Sequence, residues 1–189
     1  MPKALAYGNS IELHTGILCI GGCDSIQCYN DVFQIQLIDG QIKIDTEWPS
    51  LPVPLANATA SLLGDKIYVA GGQKSMEKPE ATNYFFVLDL NSRNKGWKEL
   101  SSWPGEPRGY AVSTTQSDGF DKCFYLFSGR NYKADGYINT LTDGYAFNPR
   151  LNSWKKLKQS FPVMLACIVC GANHILFLGG CTTINSRIR

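Results

Sequence analysis

Two arginines have the chemistry and the setting to bind one anionic ligand. Arg108 follows Glu106-Pro107, and Arg130 directly follows Ser128-Gly129. A guanidinium group holds a carboxylate through two parallel hydrogen bonds, so both side chains are candidates to contact a single acid. The competing interpretation is that each arginine is solvated or paired with a loop acid, Glu106 or Asp135.

Several neutral polar side chains accompany the arginines and are candidates to hydrogen-bond the hydroxyl groups of a ligand. They are Tyr7, Asn57, Gln73, Asn131 and Tyr132. Amide and phenol groups both donate and accept hydrogen bonds, as a hydroxyl group requires of its partners. Together with the arginines, they predict a site for a small polar acid.

Other chemistries find less support in the sequence. There is no Gly-x-Gly-x-x-Gly or phosphate-binding loop, so no cofactor is predicted, and there is no Gly-x-Ser-x-Gly elbow. The two histidines, His14 and His174, fall in separate hairpins, which predicts neither a metal pair nor a triad. Cys167 and Cys170 would point to opposite faces of a strand, which argues against zinc. Cys23 and Cys28 flank a polar loop, and their spacing is compatible with either a disulfide or a metal site.

Composition narrows the range of partners. Lys and Arg number 18 against 16 Asp and Glu, and the formal charge of +2 predicts neither a nucleic-acid nor a membrane partner. No apolar run approaches the roughly 20 residues that span a bilayer. The first residues lack a long apolar run, so no signal peptide is predicted. Seven cysteines cannot all pair within the chain, and the five outside the Cys23–Cys28 loop lie in or against apolar runs as packed thiols: Cys19, Cys123, Cys167, Cys170 and Cys181.

The elements that would position these residues come from a repeat. Four apolar runs end in Gly-Gly or its equivalent, at Gly21-Gly22, Gly71-Gly72, Ser128-Gly129 and Gly179-Gly180. A tryptophan follows the first three pairs at nearly constant distance, at Trp48, Trp97 and Trp154. We expect each of these tryptophans to lie in a fourth strand and to fill the gap between repeats. The second interval, from Gly71 to Ser128, is longer than the other two and predicts an insertion in a turn around residues 115–122.

Each repeat predicts four short strands with Gly, Asn, Asp and Pro turns. In the second repeat these are residues 56–63, 66–70, 84–90 and 97–100, and in the third 110–115, 123–127, 144–148 and 154–157. A four-stranded sheet of about 50 residues repeated around an axis is typical of a kelch-type β-propeller. The predicted fold is therefore all-β, with units at about 4–52, 55–104, 108–161 and 164–189.

The predicted propeller is incomplete, with about three and a half blades of a probable six. An open arc leaves an apolar blade face and a strand edge uncovered. We therefore expect a fragment of a longer polypeptide, or self-association through the unclosed edge.

Alternating strand directions place the loops after each second strand and before each first strand on one face. This loop face collects residues 7–8, 23–30, 52–57, 73–82, 104–110 and 130–141. Its loops are longer and more polar than the hairpins of the opposite face, so we expect the ligand there.

The chain resembles the sialic-acid mutarotases, which are N-acetylneuraminate epimerases with six kelch blades. The stretches that carry the resemblance are Ala6-Tyr7-Gly8, Leu18-Cys19-Ile20-Gly21-Gly22, Asn30-Asp31-Val32-Phe33, Trp48-Pro49-Ser50-Leu51-Pro52-Val53-Pro54 and Pro104-Gly105-Glu106-Pro107-Arg108. The order looks cyclically permuted, because the first unit is similar to the last blade of the usual enzyme and Trp48 onward is similar to its beginning.

The resemblance implies that the protein interconverts the anomers of N-acetylneuraminic acid by acid–base opening of the sugar ring. It implies that Arg108 holds the substrate carboxylate and that the usual members are periplasmic. The family's Gly-Glu motif for the proton acceptor does not occur, so the catalytic residue is expected beyond Arg189 and this chain alone is expected to be inactive. The alternative is a non-catalytic kelch propeller that binds a protein partner through its loops.

Overall fold

A computed structural model of the chain describes residues 4–132, 137–158, 164, 166–171 and 174–180. These residues form three four-stranded antiparallel sheets and two hairpins. Each four-stranded sheet is a meander, in which every strand pairs with the next core strand along the chain.

The strands are numbered in chain order and grouped into four units. Unit 1 contains β1 (Asn9–Leu13), β2 (Gly16–Ile20), β3 (Val32–Ile38) and β4 (Gln41–Asp45). Unit 2 contains β5 (Thr59–Leu63), β6 (Lys66–Ala70), β7 (Phe85–Asp89), a 3₁₀ helix (Leu90–Lys95) and β8 (Lys98–Glu99). Unit 3 contains β9 (Val112–Ser117), β10 (Lys122–Phe127), the hairpin of β11 (Arg130–Tyr132) and β12 (Ile138–Thr140), β13 (Gly144–Asn148) and β14 (Ser153–Lys156). Unit 4 contains β15 (Cys167–Cys170) and β16 (Ile175–Leu178).

The predicted fold class, an all-β, kelch-type β-propeller, is confirmed: the residues that the structure describes form successive four-stranded antiparallel meanders, which do not close into a ring. The strands predicted at 66–70 and 144–148 have the predicted bounds. The strand predicted to begin at residue 56 begins at Thr59, because Ala56 and Asn57 hydrogen-bond to other segments instead of extending β5. The predicted insertion is a longer β9–β10 turn, in which Asp118 Oδ1 accepts hydrogen bonds from the backbone N–H of Phe120 and Asp121.

The core lies between the units, because each sheet is apolar on both faces. Between units 1 and 2, Leu18 and Ile20 belong to one cluster with Ile67 and Phe86. Between units 2 and 3, the cluster is largely aromatic: Tyr68, Phe85, Trp103, Phe124, Tyr145 and Phe147. Phe85 and Phe147 meet edge to face with their centroids 5.0 Å apart. Each fully buried large side chain contributes about 1.5–3 kcal/mol to folding, so these clusters are the main force that joins the units.

All three tryptophans lie between neighbouring units as predicted, but the prediction that each lies in a fourth strand holds only for Trp154 and is wrong for Trp48 and Trp97. Trp97 Nε1 donates to Pro49 O at 2.8 Å and Trp154 Nε1 donates to Ser101 O at 2.9 Å, and each acceptor lies in the preceding unit. In unit 1, Ile44 stands opposite Ile35, as Trp154 stands opposite Phe147. Trp48 instead follows β4 and packs in the cluster between units 1 and 2.

No helix among the described residues is both long and apolar enough to pass through a lipid bilayer.

Candidate functional site

The loop face is organised around three residues that each lie two positions before the first strand of a unit, β1, β5 or β9. Tyr7, Asn57 and Tyr110 have φ values of 58°, 54° and 59°, which lie in the left-handed region that non-glycine residues seldom adopt. Backbone hydrogen bonds link them in series, from Asn57 N to Tyr7 O and from Tyr110 N to Asn57 O, each 2.8 Å long. We call these three residues the rim.

A second set of backbone contacts fixes the residue that follows each of the first three glycine pairs, the third being Ser128-Gly129. Cys23, Gln73 and Arg130 each form an antiparallel bridge to the residue before the rim residue of their unit. Gly71 permits a further close contact, with the next unit, since a Cβ atom there would lie 2.2 Å from Arg108 O. The structure thus brings the predicted residues Tyr7, Asn57, Gln73 and Arg130 together at one end of the units, while His14 and His174 lie in the hairpin turns β1–β2 and β15–β16.

Arg130 lies among aromatic side chains on this face. Its guanidinium carbon is 3.8 Å from the ring centroid of Tyr110 and 5.2 Å from that of Tyr132. Within the part of the chain that the structure describes, Arg130 Nε is buried and has no hydrogen-bond partner. Burial raises the pKa of Tyr110, and the charge of Arg130 opposes this shift. Arg130 is therefore a partly buried cation whose Nε–H group is available to donate a hydrogen bond to a ligand.

Arg108 has a different environment. Its side chain is fully buried, with 0% exposure, and Nη1 donates to Ser128 O at 2.8 Å. Nη2 lies 2.9 Å from Asp143 Oδ1, and the guanidinium carbon lies 5.4 Å from the centroid of Trp103 and 5.2 Å from that of Tyr145. Burial lowers the pKa of Arg108, and Asp143 partly offsets this. The interpretation that pairs the arginine with a loop acid anticipated such a contact, but the carboxylate is that of Asp143, and Glu106 accepts a hydrogen bond from Arg108 Nε through its backbone oxygen at 3.4 Å.

The predicted neutral residues differ in access to solvent. Tyr7 is 57% exposed, whereas Asn57 and Gln73 are buried. Met76 lies over both amides: its sulfur is 3.1 Å from Gln73 Nε2 and 3.8 Å from Asn57 Nδ2. Asn131 lies half-buried in β11, opposite Asn139. Asp135, the other predicted partner acid, lies outside the described residues.

The described residues contain no group of three or more His, Cys, Asp or Glu side chains arranged to hold a metal ion. Sequence reasoning missed Tyr110 and Asp143. Tyr110 was detectable, because it occupies the position of Tyr7 and Asn57 in the repeat. Asp143 carries no comparable signal, because its pairing with Arg108 depends on how the segment before β9 folds against the segment before β13 within unit 3.

Comparison with known proteins places the chain in a family. The family model for N-acetylneuraminate epimerase matches residues 48–186. The chain belongs to the N-acetylneuraminate epimerase family. The matched residues include Asn57, Gln73, Arg108, Arg130 and Asn131, and the match begins at Trp48.

Individual relatives agree with this assignment. The chain is 32% identical over 136 residues to a kelch domain-containing protein of Vibrio cholerae, covering 70% of this chain and 35% of the relative. It is 32% identical over 139 residues to an N-acetylneuraminate epimerase of Haemophilus influenzae, covering 70% of this chain and 33% of the relative. It is 30% identical over 130 residues to the N-acetylneuraminate epimerase of Escherichia coli K12, covering 69% of this chain and 31% of the relative. The chain thus spans about a third of the length of these epimerase-family relatives.

A solved structure described as "Structure of YjhT" superimposes on the chain with a TM-score of 0.53 and 24% sequence identity. The superposition covers 68% of this chain and 35% of that one. At this identity the likeness supports the fold alone.

Proposed function

We propose that this chain forms part of an enzyme that interconverts the anomers of N-acetylneuraminic acid by acid–base opening and closing of the sugar ring. Membership of the N-acetylneuraminate epimerase family supports the reaction. The observation that carries the binding role is the guanidinium of Arg130, which lies at the loop face with an unpartnered donor among the residues described.

In this proposal the chain binds and orients the substrate. Arg130 contacts the carboxylate, because a partly desolvated guanidinium attracts an anion more strongly than a fully hydrated one does. Tyr7 and Asn131 lie on the same face and donate hydrogen bonds to hydroxyl groups, and Asn57 and Gln73 join them when the Met76 side chain moves aside.

Arg108 acts as a positioning residue and not as the carboxylate ligand. Its guanidinium has no exposed surface, and its hydrogen bond to Ser128 O fixes the backbone two residues before Arg130. The role that the resemblance implies for Arg108 is therefore proposed for Arg130.

The experiment measures binding of N-acetylneuraminate and of the neutral sugar N-acetylmannosamine by calorimetry. Arg130→Ala should weaken binding of the acid about tenfold to a hundredfold and leave the neutral sugar nearly unchanged, since hydrogen bonds to charged groups contribute about 1.5–3 kcal/mol. Arg93→Ala is the matched control, because Arg93 also lies over an aromatic ring, that of Trp48, but among the hairpins of the opposite face. Equal weakening for both sugars would exclude the carboxylate role.

The reaction itself is tested by NMR on freshly dissolved anomer with the protein added. A faster approach to anomeric equilibrium than in buffer alone supports the enzymatic function. If the chain binds the acid but the rate equals that in buffer alone, its role is limited to binding.

The alternative is a kelch propeller that presents its loops to a protein. The observation that favours it is exposed apolar surface on the loop face, where Ile26 is 88% and Met76 38% exposed. Such a protein would bind neither sugar measurably, so the same calorimetry separates the two functions.

We also propose that the open apolar face of unit 1 associates with a second copy of this chain. Ile17 and Ile35 on that face correspond to Ile67 and Leu88 of unit 2, which are fully buried against unit 1. Unit 4 exposes Leu176 and Leu178, which face away from unit 3. One chain therefore offers both halves of the contact that already joins its own units.

A further inference from the structure

Cys23 and Cys28 face each other within the loop that joins β2 to β3, on the loop face of unit 1. They form an isolated antiparallel bridge, and the flanking hydrogen bonds run from Tyr29 N to Gly22 O at 2.8 Å and from Asp24 N to Gln27 O at 3.0 Å. This pattern makes them a non-hydrogen-bonded pair, in which the Cα atoms lie about 4.5 Å apart and the side chains are closest. That separation falls within the range of about 4.4–6.8 Å found for disulfides.

The loop between the two cysteines holds them in this register. Asp24 Oδ1 accepts hydrogen bonds from the backbone N–H of Ile26 and Gln27, and Asp24 Oδ2 accepts one from Tyr29 Oη at 2.6 Å. Cys23 is 2% and Cys28 8% exposed, and both are packed with Ala56. Because the loop is closed by its own hydrogen bonds, a covalent link between the two sulfur atoms needs little backbone movement.

The other cysteines of the described strands have no cysteine opposite them. Cys19 stands across from Ser10 and Phe33, and Cys123 stands across from Gln116. The pairing of Cys23 with Cys28 is therefore particular to this loop. In the repeat, Cys23 occupies the position of Gln73 and Arg130, which carry polar side chains at the loop face in units 2 and 3.

We propose that Cys23 and Cys28 form an oxidisable dithiol, which a small-molecule disulfide such as oxidised glutathione converts into a cross-strand disulfide at the loop face. One thiolate attacks a sulfur of the small disulfide, forming a mixed disulfide and releasing one reduced thiol. The second thiolate then attacks the protein sulfur and releases the other reduced thiol. The two cysteines are oxidised, the small disulfide is reduced to two thiols, and the two cysteine protons pass to the products through solvent.

The environment of the thiols sets the rate of this exchange. Burial is the main cause that raises the pKa of both thiols, that of Cys28 to about 11. Only a small fraction of thiolate is then present at neutral pH, so we expect slow exchange whose rate rises about tenfold per pH unit between pH 7 and 9.

The experiment uses the 189-residue chain in buffers of fixed reduced-to-oxidised glutathione ratio. After acid quenching and alkylation, the chain is digested with a protease that cleaves before aspartate. Asp24 separates the two cysteines, so a disulfide keeps the peptides 1–23 and 24–30 joined in mass spectrometry. We compare the ratio of oxidised to reduced glutathione at which half of the peptide is joined. This ratio should be about tenfold lower for the folded chain than for the urea-unfolded chain, because the fold holds the two thiols together.

Three variants make the assignment specific. Cys23→Ser and Cys28→Ser should each abolish the joined peptide, whereas the matched control Cys19→Ser should retain it. Loss of the link in Cys19→Ser, or absence of the link in the folded wild-type chain under conditions that oxidise the unfolded chain, would overturn the proposal. Neither result depends on sugar binding or mutarotation.

Discussion

The ion pair of Arg108 and Asp143 joins the loop face to the interior between units 2 and 3. Arg108 is fully buried, and Asp143 directly precedes β13 and also accepts a hydrogen bond from Tyr145 Oη at 2.6 Å. Taking a guanidinium out of water is costly, and here a carboxylate, a backbone carbonyl and two aromatic rings offset the cost. The pair therefore contributes to stability mainly by preventing an uncompensated buried charge.

Asp143→Asn should lower the free energy of unfolding by about 3 kcal/mol, because it leaves the buried guanidinium without its counter-charge. Urea unfolding followed by tryptophan fluorescence measures the change. Asp121→Asn is the control: its partner Arg150 is exposed, and an exposed pair contributes less than about 1 kcal/mol. Similar losses in the two variants would show that burial does not govern the Arg108 pair.

The same pair predicts a dependence on pH. Burial by itself would raise the pKa of Asp143, but the hydrogen bond from Tyr145 and the charge of Arg108 outweigh it and hold the pKa below its ordinary value. A carboxyl group whose pKa is lowered by folding stabilises the folded state above its unfolded pKa of about 3.9, and this stabilisation is lost as the pH falls through the folded value. The difference in unfolding free energy between wild type and Asp143→Asn should therefore shrink from pH 6 to pH 2. A difference that is constant over this range would contradict the assigned shift.

The sequence identified two arginines as candidates but could not distinguish their roles. Both follow turns in the same repeat, and nothing in the spacing indicates that one guanidinium turns into the interior and the other lies on Tyr110. That distinction depends on Asp143 and Tyr145, which lie 35 and 37 residues further along the chain and approach Arg108 only when unit 3 has folded. The rim was more accessible to prediction, since the equivalent positions of Tyr7, Asn57 and Tyr110 follow from the repeat.

At the scale of the element, strand positions followed from the Gly-Gly pairs, but tryptophan spacing was misleading. Leu88 lies 17 residues after Gly71, and its counterpart Phe147 lies 19 residues after Ser128. The turn before the fourth strand is shorter in unit 3, so Trp97 and Trp154 keep the same distance from their glycine pairs. In unit 1 the loop lengths do not compensate in this way. The constant distance from the glycine pair therefore pointed to Trp48, although Ile44 occupies the position equivalent to Trp97 and Trp154. Loop lengths therefore limit what a spacing can predict.

Two glycines with similar backbone angles separate conformational strain from steric contact. Gly64 has φ 59° and open space around its Cα, whereas Gly71 has φ 68° and faces Arg108 O. Gly64→Ala should cost about 1 kcal/mol, the penalty for a side chain in the left-handed region. Gly71→Ala should cost about 1–3 kcal/mol more, because the contact with the next unit must open. Urea unfolding of both variants gives the comparison, and equal costs would mean that the units are not held in contact at Gly71.

At the scale of the whole molecule, the repeat specifies which surfaces must be covered. Unit 2 buries one apolar face against unit 1 and the other against unit 3. In unit 1, the face equivalent to Ile67 and Leu88 of unit 2 is exposed to solvent. Leu37 and Ile42 extend this face, and their side chains are 72% and 74% exposed. The direction of this face follows from pairing, since residues opposite each other on neighbouring strands point to the same side.

Association of two copies through this face gives the last prediction. Ile42→Lys places a charge at the centre of the outer part of the face, so it should raise the dissociation constant for self-association at least about tenfold, equivalent to about 1.4 kcal/mol. Sedimentation velocity over a range of concentrations measures the constant. Leu151→Lys is the control, because Leu151 is 60% exposed in the turn between β13 and β14, away from the face. The contact is head-to-tail, so it can continue from copy to copy, and species larger than a dimer should disappear together with the dimer in Ile42→Lys. A monomeric wild-type chain, or equal weakening by the two substitutions, would exclude this face as the interface.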